Sequence, residues 1–244
     1  EEIFNLLLTN EDIDYNCVFK FKKNTEDELQ EKSVFYAACE LQRKEIVYSF
    51  LSLANLDVNY VHNFKFKDNV GFFKTNPLYI ACENKDTDIA KSLLKREDVD
   101  INYKSQYQST QKSISWSEYR EKSVLHQVID NENIEIMRVL LEQPKLNIND
   151  IFLIRRKISF SITKQIEKTA LHLAIEKNSI DCVRLLLTRD DLQINLKYHY
   201  MKYRFYFMKT EEIQSTALHM AVAKGKIKII KLLLSNKNID INIT

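Results

Sequence analysis

The stretch TALHLAIEKNSIDCVRLLLTRDDLQIN, residues 169–195, decides the fold. Leu171, Ala174 and Ile175 stand at i, i+3, i+4, which is one apolar face of a short helix. Ile180, Val183 and Leu187, with Leu186 beside them, give a second such face immediately after it. A helix pair of this length cannot bury its own apolar side, so it needs a neighbour of the same kind. The chain supplies them. Ser33–Asn59, Asn76–Asn102, Ser123–Asn149 and Thr216–Asn242 align with Thr169–Asn195 without a gap, each 27 residues long. Phe35, Leu78, Leu125, Leu171 and Leu218 fall at one position, and Asn59, Asn102, Asn149, Asn195 and Asn242 close the five cores. Residues 1–16, ending IFNLLLTNEDIDYN, match the second half of a core and read as a partial repeat. Small residues on the first helix (Ala37, Ala38, Ala81, Ala174, Ala221) permit neighbouring helices to approach closely.

The opening hexapeptides are SVFYAA at 33–38, NPLYIA at 76–81, SVLHQV at 123–128, TALHLA at 169–174 and TALHMA at 216–221. With the later TDIAKSLL, IEIMRVLL, IDCVRLLL and IKIIKLLL, they resemble the ankyrin repeat family, whose first helix opens on T-P-L-H-x-A. The resemblance covers nearly the whole chain. It implies a mainly α, ankyrin-type α-solenoid of stacked helix pairs with β-hairpin fingers, here elongated. It also implies that His126, His172 and His219 tie their side chains to local backbone and support the turn. The sequence departs from the pattern in two places. The proline survives only as Pro77, and the glycine between the helices is replaced by Gln42, Lys85, Glu132 and Asn178, remaining only as Gly225. Of these five, only Asn178 and Gly225 are natural left-handed residues, so the other three turns are expected to be less ideal.

The closing asparagines, counted from Asn16, are separated by 43, 43, 47, 46 and 47 residues, against a family period of about 33. Because the core length is constant, the excess lies in the joining segments, the fingers: 17–32, 60–75, 103–122, 150–168 and 196–215. They hold 19 of the 26 aromatic residues, and several alternate with period two, as strands do: Ile158, Phe160, Ile162; Tyr203, Phe205, Phe207. Asp68-Asn69-Val70-Gly71 reads as a hairpin turn. Each finger is therefore expected to be a long β-hairpin, able to pair with its neighbours into a ribbon along the stack. The fingers carry 20 basic and 11 acidic residues and the remainder 16 and 23, so a net charge of +2 conceals a basic edge on a mildly acidic body.

Chemistry is excluded more easily than it is found. Two glycines in 244 residues cannot build G-x-G-x-x-G, and neither G-x-S-x-G nor a P-loop is present. No H-E-x-x-H or C-x-x-C occurs, so no metal, cofactor or catalytic residue is expected. His62 and His199 lie in fingers and are expected to be exposed. Cys17, Cys39, Cys82 and Cys182 read as packing thiols. Cys39 and Cys82 are equivalent positions one repeat apart, too distant for a bridge, and the set fits a reducing, intracellular compartment, the cytoplasm. No apolar run approaches the ~18 residues of a membrane span. The start at Glu1 and Glu2, without a methionine, a basic segment or an apolar signal core, would fit a fragment of a longer protein.

The function expected is a non-enzymatic scaffold that binds a protein partner through the fingers and the concave face. Tyr107, Trp116, Tyr119, Arg155, Arg156, Tyr203, Arg204 and Phe205, drawn from the aromatic and arginine side chains of the three longest fingers, are the contact candidates. Two alternatives stand beside it. Uncapped ends would support end-to-end self-association, and basic fingers would support binding to nucleic acid or an anionic membrane surface.

Overall fold

The computed structural model describes residues 14–21, 30–66, 70–111, 116–159, 162–204 and 209–243. The partial repeat at 1–16 lies almost wholly outside them, as do Phe160, Phe205, Phe207 and the first half of the 68–71 turn.

Among the described residues, the helices form five pairs. They are α1 (Val34–Glu40) with α2 (Lys44–Leu51), α3 (Pro77–Glu83) with α4 (Thr87–Leu94), α5 (Val124–Asp130) with α6 (Ile134–Leu141), α7 (Ala170–Lys177) with α8 (Ile180–Leu186), and α9 (Ala217–Ala223) with α10 (Ile227–Leu234). Side chains that compete for backbone amides start them. Ser33 accepts from the Tyr36 amide, Asn76 from Tyr79, and Thr169 and Thr216 from His172 and His219. Between the helices of every pair one residue is left-handed: Gln42, Lys85, Glu132, Asn178 and Gly225, with φ between 54° and 64°. The next amide then returns to the last turn, as Arg43 N to Ala38 O at 2.9 Å and Asp86 N to Ala81 O at 3.0 Å. Gln42, Lys85 and Glu132 hold this conformation at a steric cost of about 1–2 kcal/mol each. The stack imposes a geometry that their side chains do not favour.

First helices pack on first helices of the adjacent repeats, and second helices on second. Phe35, Leu78, Leu125 and Leu171 are each at most 1% exposed. A second bond between repeats runs along the closing asparagines. The amide nitrogen of the Asn59 side chain donates to Asp98 O (2.7 Å), and its Oδ1 accepts from the Asp100 amide (2.7 Å). Asn16, Asn102, Asn149 and Asn195 do the same to the repeat that follows each. Arg96 and Arg189 add a third tie. Each guanidinium reaches back to carbonyls at the end of the preceding second helix, Leu51 and Leu53 or Leu141 and Gln143.

The fingers form strands. β1 (Val18–Phe21) and β2 (Gln30–Ser33) make a two-stranded hairpin. The remaining strands are β3 (His62–Lys65), β4 (Gly71–Thr75), β5 (Lys104–Gln111), β6 (Trp116–Ser123), β7 (Ile151–Ser159), β8 (Ile162–Thr169), β9 (Lys197–Arg204) and β10 (Lys209–Thr216). These eight pair antiparallel in chain order as one continuous sheet. The stacked helix pairs are those expected, but the chain is less predominantly α than the expectation of a mainly α solenoid. Helix makes up about 36% and strand about 31% of the described residues, because strands eight or nine residues long present enough backbone to bond across repeats as well as within a hairpin. A compact chain of 28.9 kDa leaves about 11,400 Å² accessible. This one leaves 13702 Å², as an open stack should.

Candidate interaction surface

Side chains alternate across the sheet, so register sorts them onto two faces. On β7, Phe152 and Ile154 are buried against the helices; their neighbours Arg155 and Leu153 point the other way. The palm face, toward the helices, is tied down by ion pairs. Lys32, Lys122 and Lys168 each occupy the position just before a first helix and pair with an acid seven residues into it: Glu40, Asp130 and Glu176. The Lys32 ammonium lies 4.5 Å from the Phe21 ring and 4.9 Å from that of Phe64, while Lys122 and Lys168 flank Phe152 at 5.5 and 5.2 Å. Burial lowers the Lys122 pKa, with its bond to Asp130 opposing.

Much of the basic excess of the fingers is thus consumed internally. Arg120 and Arg156 (3.2 Å) both bind Glu118. Burial alone would raise the Glu118 carboxyl, yet these two hydrogen bonds hold it below the usual carboxylate range. Lys202 and Arg204 share Glu211 at 3.6 and 2.9 Å, and Lys104 lies 2.7 Å from Asp150 and 3.4 Å from Glu121.

The outer face differs. Gln108, Tyr119, Arg155, Gln165 and Met201 lie opposite one another in a row across five strands, and Ser117, Lys157, Thr163 and Tyr203 form the next row. Together they floor a cleft of about 410 Å³. Arg155 is exposed, and its Nε donates to neutral Gln165 at 3.1 Å. Among the described residues no carboxylate is within ion-pair distance of it. Tyr119 Oη lies 3.0 Å from Glu121 Oε2.

The eight contact candidates therefore divide. Tyr119, Arg155 and Tyr203 meet in the outer cleft, where Arg156 contributes to the lining. By register the Arg156 side chain belongs to the palm face, with Tyr107, Trp116 and Arg204. The Tyr107 ring lies 5.4 Å from the Arg120 guanidinium, and Arg204 is paired. Phe205 lies outside the described residues.

The histidines need two corrections. His62 is fully buried, 0% exposed, packed 4.9 Å from the Tyr36 ring and 3.7 Å from that of Phe64. His199 is half-buried between Glu212 (3.1 Å) and Glu167 (3.7 Å). The recurrent histidines do bind local structure. Nδ1 of His126, His172 and His219 meets the hydroxyl that begins its helix at 2.6, 2.9 and 2.9 Å, and His172 Nε2 is 3.3 Å from the Ser215 carbonyl. Of the thiols, Cys39, Cys82 and Cys182 are buried, but Cys17 is exposed at the start of β1 and so is not a packing residue. Spacing marked the closing asparagines but not their inter-repeat bonds. The paired lysine and acid at a fixed offset were also legible in the sequence, and charge counting overlooked them.

Among the described residues no group of three or more His, Cys, Asp or Glu could hold a metal, and no helix is long and apolar enough to cross a membrane. A row of helix pairs, each carrying a hairpin and touching its neighbours, defines a repeat solenoid that offers surfaces to other molecules. Ankyrin repeats (3 copies) match residues 34–151, 108–198 and 151–244, and the chain belongs to the ankyrin-repeat family. Members of this family are generally protein–protein interaction modules without enzymatic activity. No curated protein matches the sequence. Among solved structures, the chain is similar to the Legionella pneumophila effector AnkC, at 12% identity and a TM-score of 0.54, over 100% of this chain and 80% of that one. That likeness concerns the fold alone.

Proposed function

We propose that this chain is a non-catalytic scaffold whose finger sheet binds a protein partner through the outer cleft, inside the cell and in the cytoplasm, where its buried thiols stay reduced. The supporting observation is the convergence of Tyr119, Arg155 and Tyr203 on one cleft of about 410 Å³. Aromatic and arginine anchors in a concave site are the usual hot spots of protein interfaces. Arg155→Glu and Tyr119→Ala, each made in a partner-bound complex and read by calorimetry, are expected to weaken affinity at least tenfold, as loss of an anchor costs about 2 kcal/mol. Unchanged affinity in both variants would remove the cleft from the interface.

Pairing of Arg120, Arg156, Lys202 and Arg204 with internal carboxylates leaves the nucleic-acid and anionic-membrane readings with less support. Self-association has one observation in its favour. Val222 and Ile241 are 58% and 64% exposed, at positions where Ile175 and Ile194 are 0% and 3% exposed beneath the following repeat. A helix pair seated there would bury them. Strictly monomeric sedimentation at high concentration would eliminate that reading.

A further inference from the structure

The lysine–acid pairs follow the repeat, and where they fail they fail in two different ways. In the fifth repeat both members are gone together, since Ser215 stands for the lysine and Ala223 for the acid. In the second repeat only the lysine is gone. Thr75 takes its place, fully buried with Oγ1 lacking a hydrogen-bond partner, while the acid remains as Glu83. Among the described residues no cation lies within ion-pair distance of Glu83. The surroundings of the missing ammonium are nevertheless kept. Tyr36, Phe64 and Glu40 enclose Lys32 in the first repeat, and the residues at the same offsets in the second are Tyr79, Tyr107 and Glu83. These three line one cleft of about 230 Å³ at the palm, which Arg120, Lys122 and Asp130 also line beside Phe73 and Phe152.

We infer that this cleft receives the ammonium of a lysine side chain from a bound protein, which would complete in trans the pair that Lys32, Lys122 and Lys168 make within the chain. The two cations already in the cleft do not forbid another: Arg120, 5.4 Å from the Tyr107 ring, is held by Glu118, and Lys122 by Asp130. Lys122 and Lys168 already stand on one ring, Phe152, each with its own acid. The rings provide the cation–π wall and Glu83 the counter-charge. The biological meaning of the site rests on the interaction-scaffold reading, but its chemistry does not.

The probe is n-butylammonium, a lysine side chain without its backbone, titrated into the whole chain and followed by amide NMR at Tyr79, Ser105 and Gln127. Saturable binding on the order of 1–10 mM is expected. It should weaken at least tenfold in Glu83→Gln, and it should vanish in Thr75→Lys, which fills the cleft with the chain's own ammonium. Uncharged n-pentanol should not compete. No saturable shift in the native chain, undiminished binding by Glu83→Gln, or equal binding of n-pentanol would each overturn the assignment. Glu83 is exposed, so its variant keeps the test valid even if Thr75→Lys does not fold. If the probe fails while Arg155→Glu still weakens a protein complex, only the lysine site falls. If the probe binds and the outer-face variants change nothing, only the outer cleft falls.

Discussion

Lowering the pH from 7 to 5 is expected to remove several kcal/mol of stability, well before the surface carboxylates titrate. Burial depresses the pKa of His126 from 6.5 to about 3, with Lys122 as the next cause, and that of His172 to about 4, with the Ser215 carbonyl opposing. His62 is lowered to about 4, again by burial first and by Lys32 second. In the unfolded chain each returns to the ordinary value near 6.5. Between about pH 6.5 and 4 the unfolded state therefore binds protons that the folded state refuses. Stability is fully present above pH 6.5 and is lost as pH falls toward the folded values. His126 and His172 each contribute about 2 kcal/mol of loss by pH 5, against a total stability of roughly 5–15 kcal/mol for a chain of this kind. Urea midpoints at pH 7 and pH 5 would show it, and replacing His172 by Asn should shrink the difference by one proton's share. Equal midpoints at the two pH values would mean that the histidines are not buried as described.

The same chemical deletion should have opposite consequences at two equivalent positions. Ile175 on α7 is fully buried, because the following repeat covers it; Val222 stands at the same position on α9 and is 58% exposed. Cys39, Cys82 and Ile129, the other occupants of this position, are all fully buried. Ile175→Ala leaves a cavity between repeats and should cost about 2–5 kcal/mol. Val222→Ala should stay within about 0.5 kcal/mol of the parent. Chemical denaturation of both variants decides this. Similar losses would mean that burial here is set by something other than the neighbouring repeat.

Which parts of this could be read beforehand follows from the range of each interaction. The i, i+3, i+4 faces of Leu171 and Ile175 are local, and their recurrence at constant spacing made the stack legible. So did the period-two alternation of Tyr203 and its neighbours. The sheet was legible only as a possibility, because hairpins such as β5–β6 join their neighbours by backbone bonds, which carry no residue preference strong enough to read. The contact candidates were chosen by residue type. Whether Tyr119 and Arg155 share a face with Tyr203 depends on register across four strands, and a shift of one residue reverses it. Arg156 illustrates the cost, since its neighbour Arg155 faces the cleft while it turns to Glu118. A place in a finger predicts exposure for His62, yet it sits opposite Thr75 at the root of its hairpin, where the strand meets the helices. The left-handed turns at Gln42, Lys85 and Glu132 went the other way: local preference argued against them, and the repeat geometry prevailed.

Small-angle X-ray scattering of the whole chain tests the central claim, that helix pairs shield one another in a row and leave an open surface. A sphere-like domain of 244 residues has a radius of gyration of about 18 Å. The stack should give a value clearly above this, with a distance distribution skewed toward long separations. A value at about 18 Å with a symmetric distribution would contradict it.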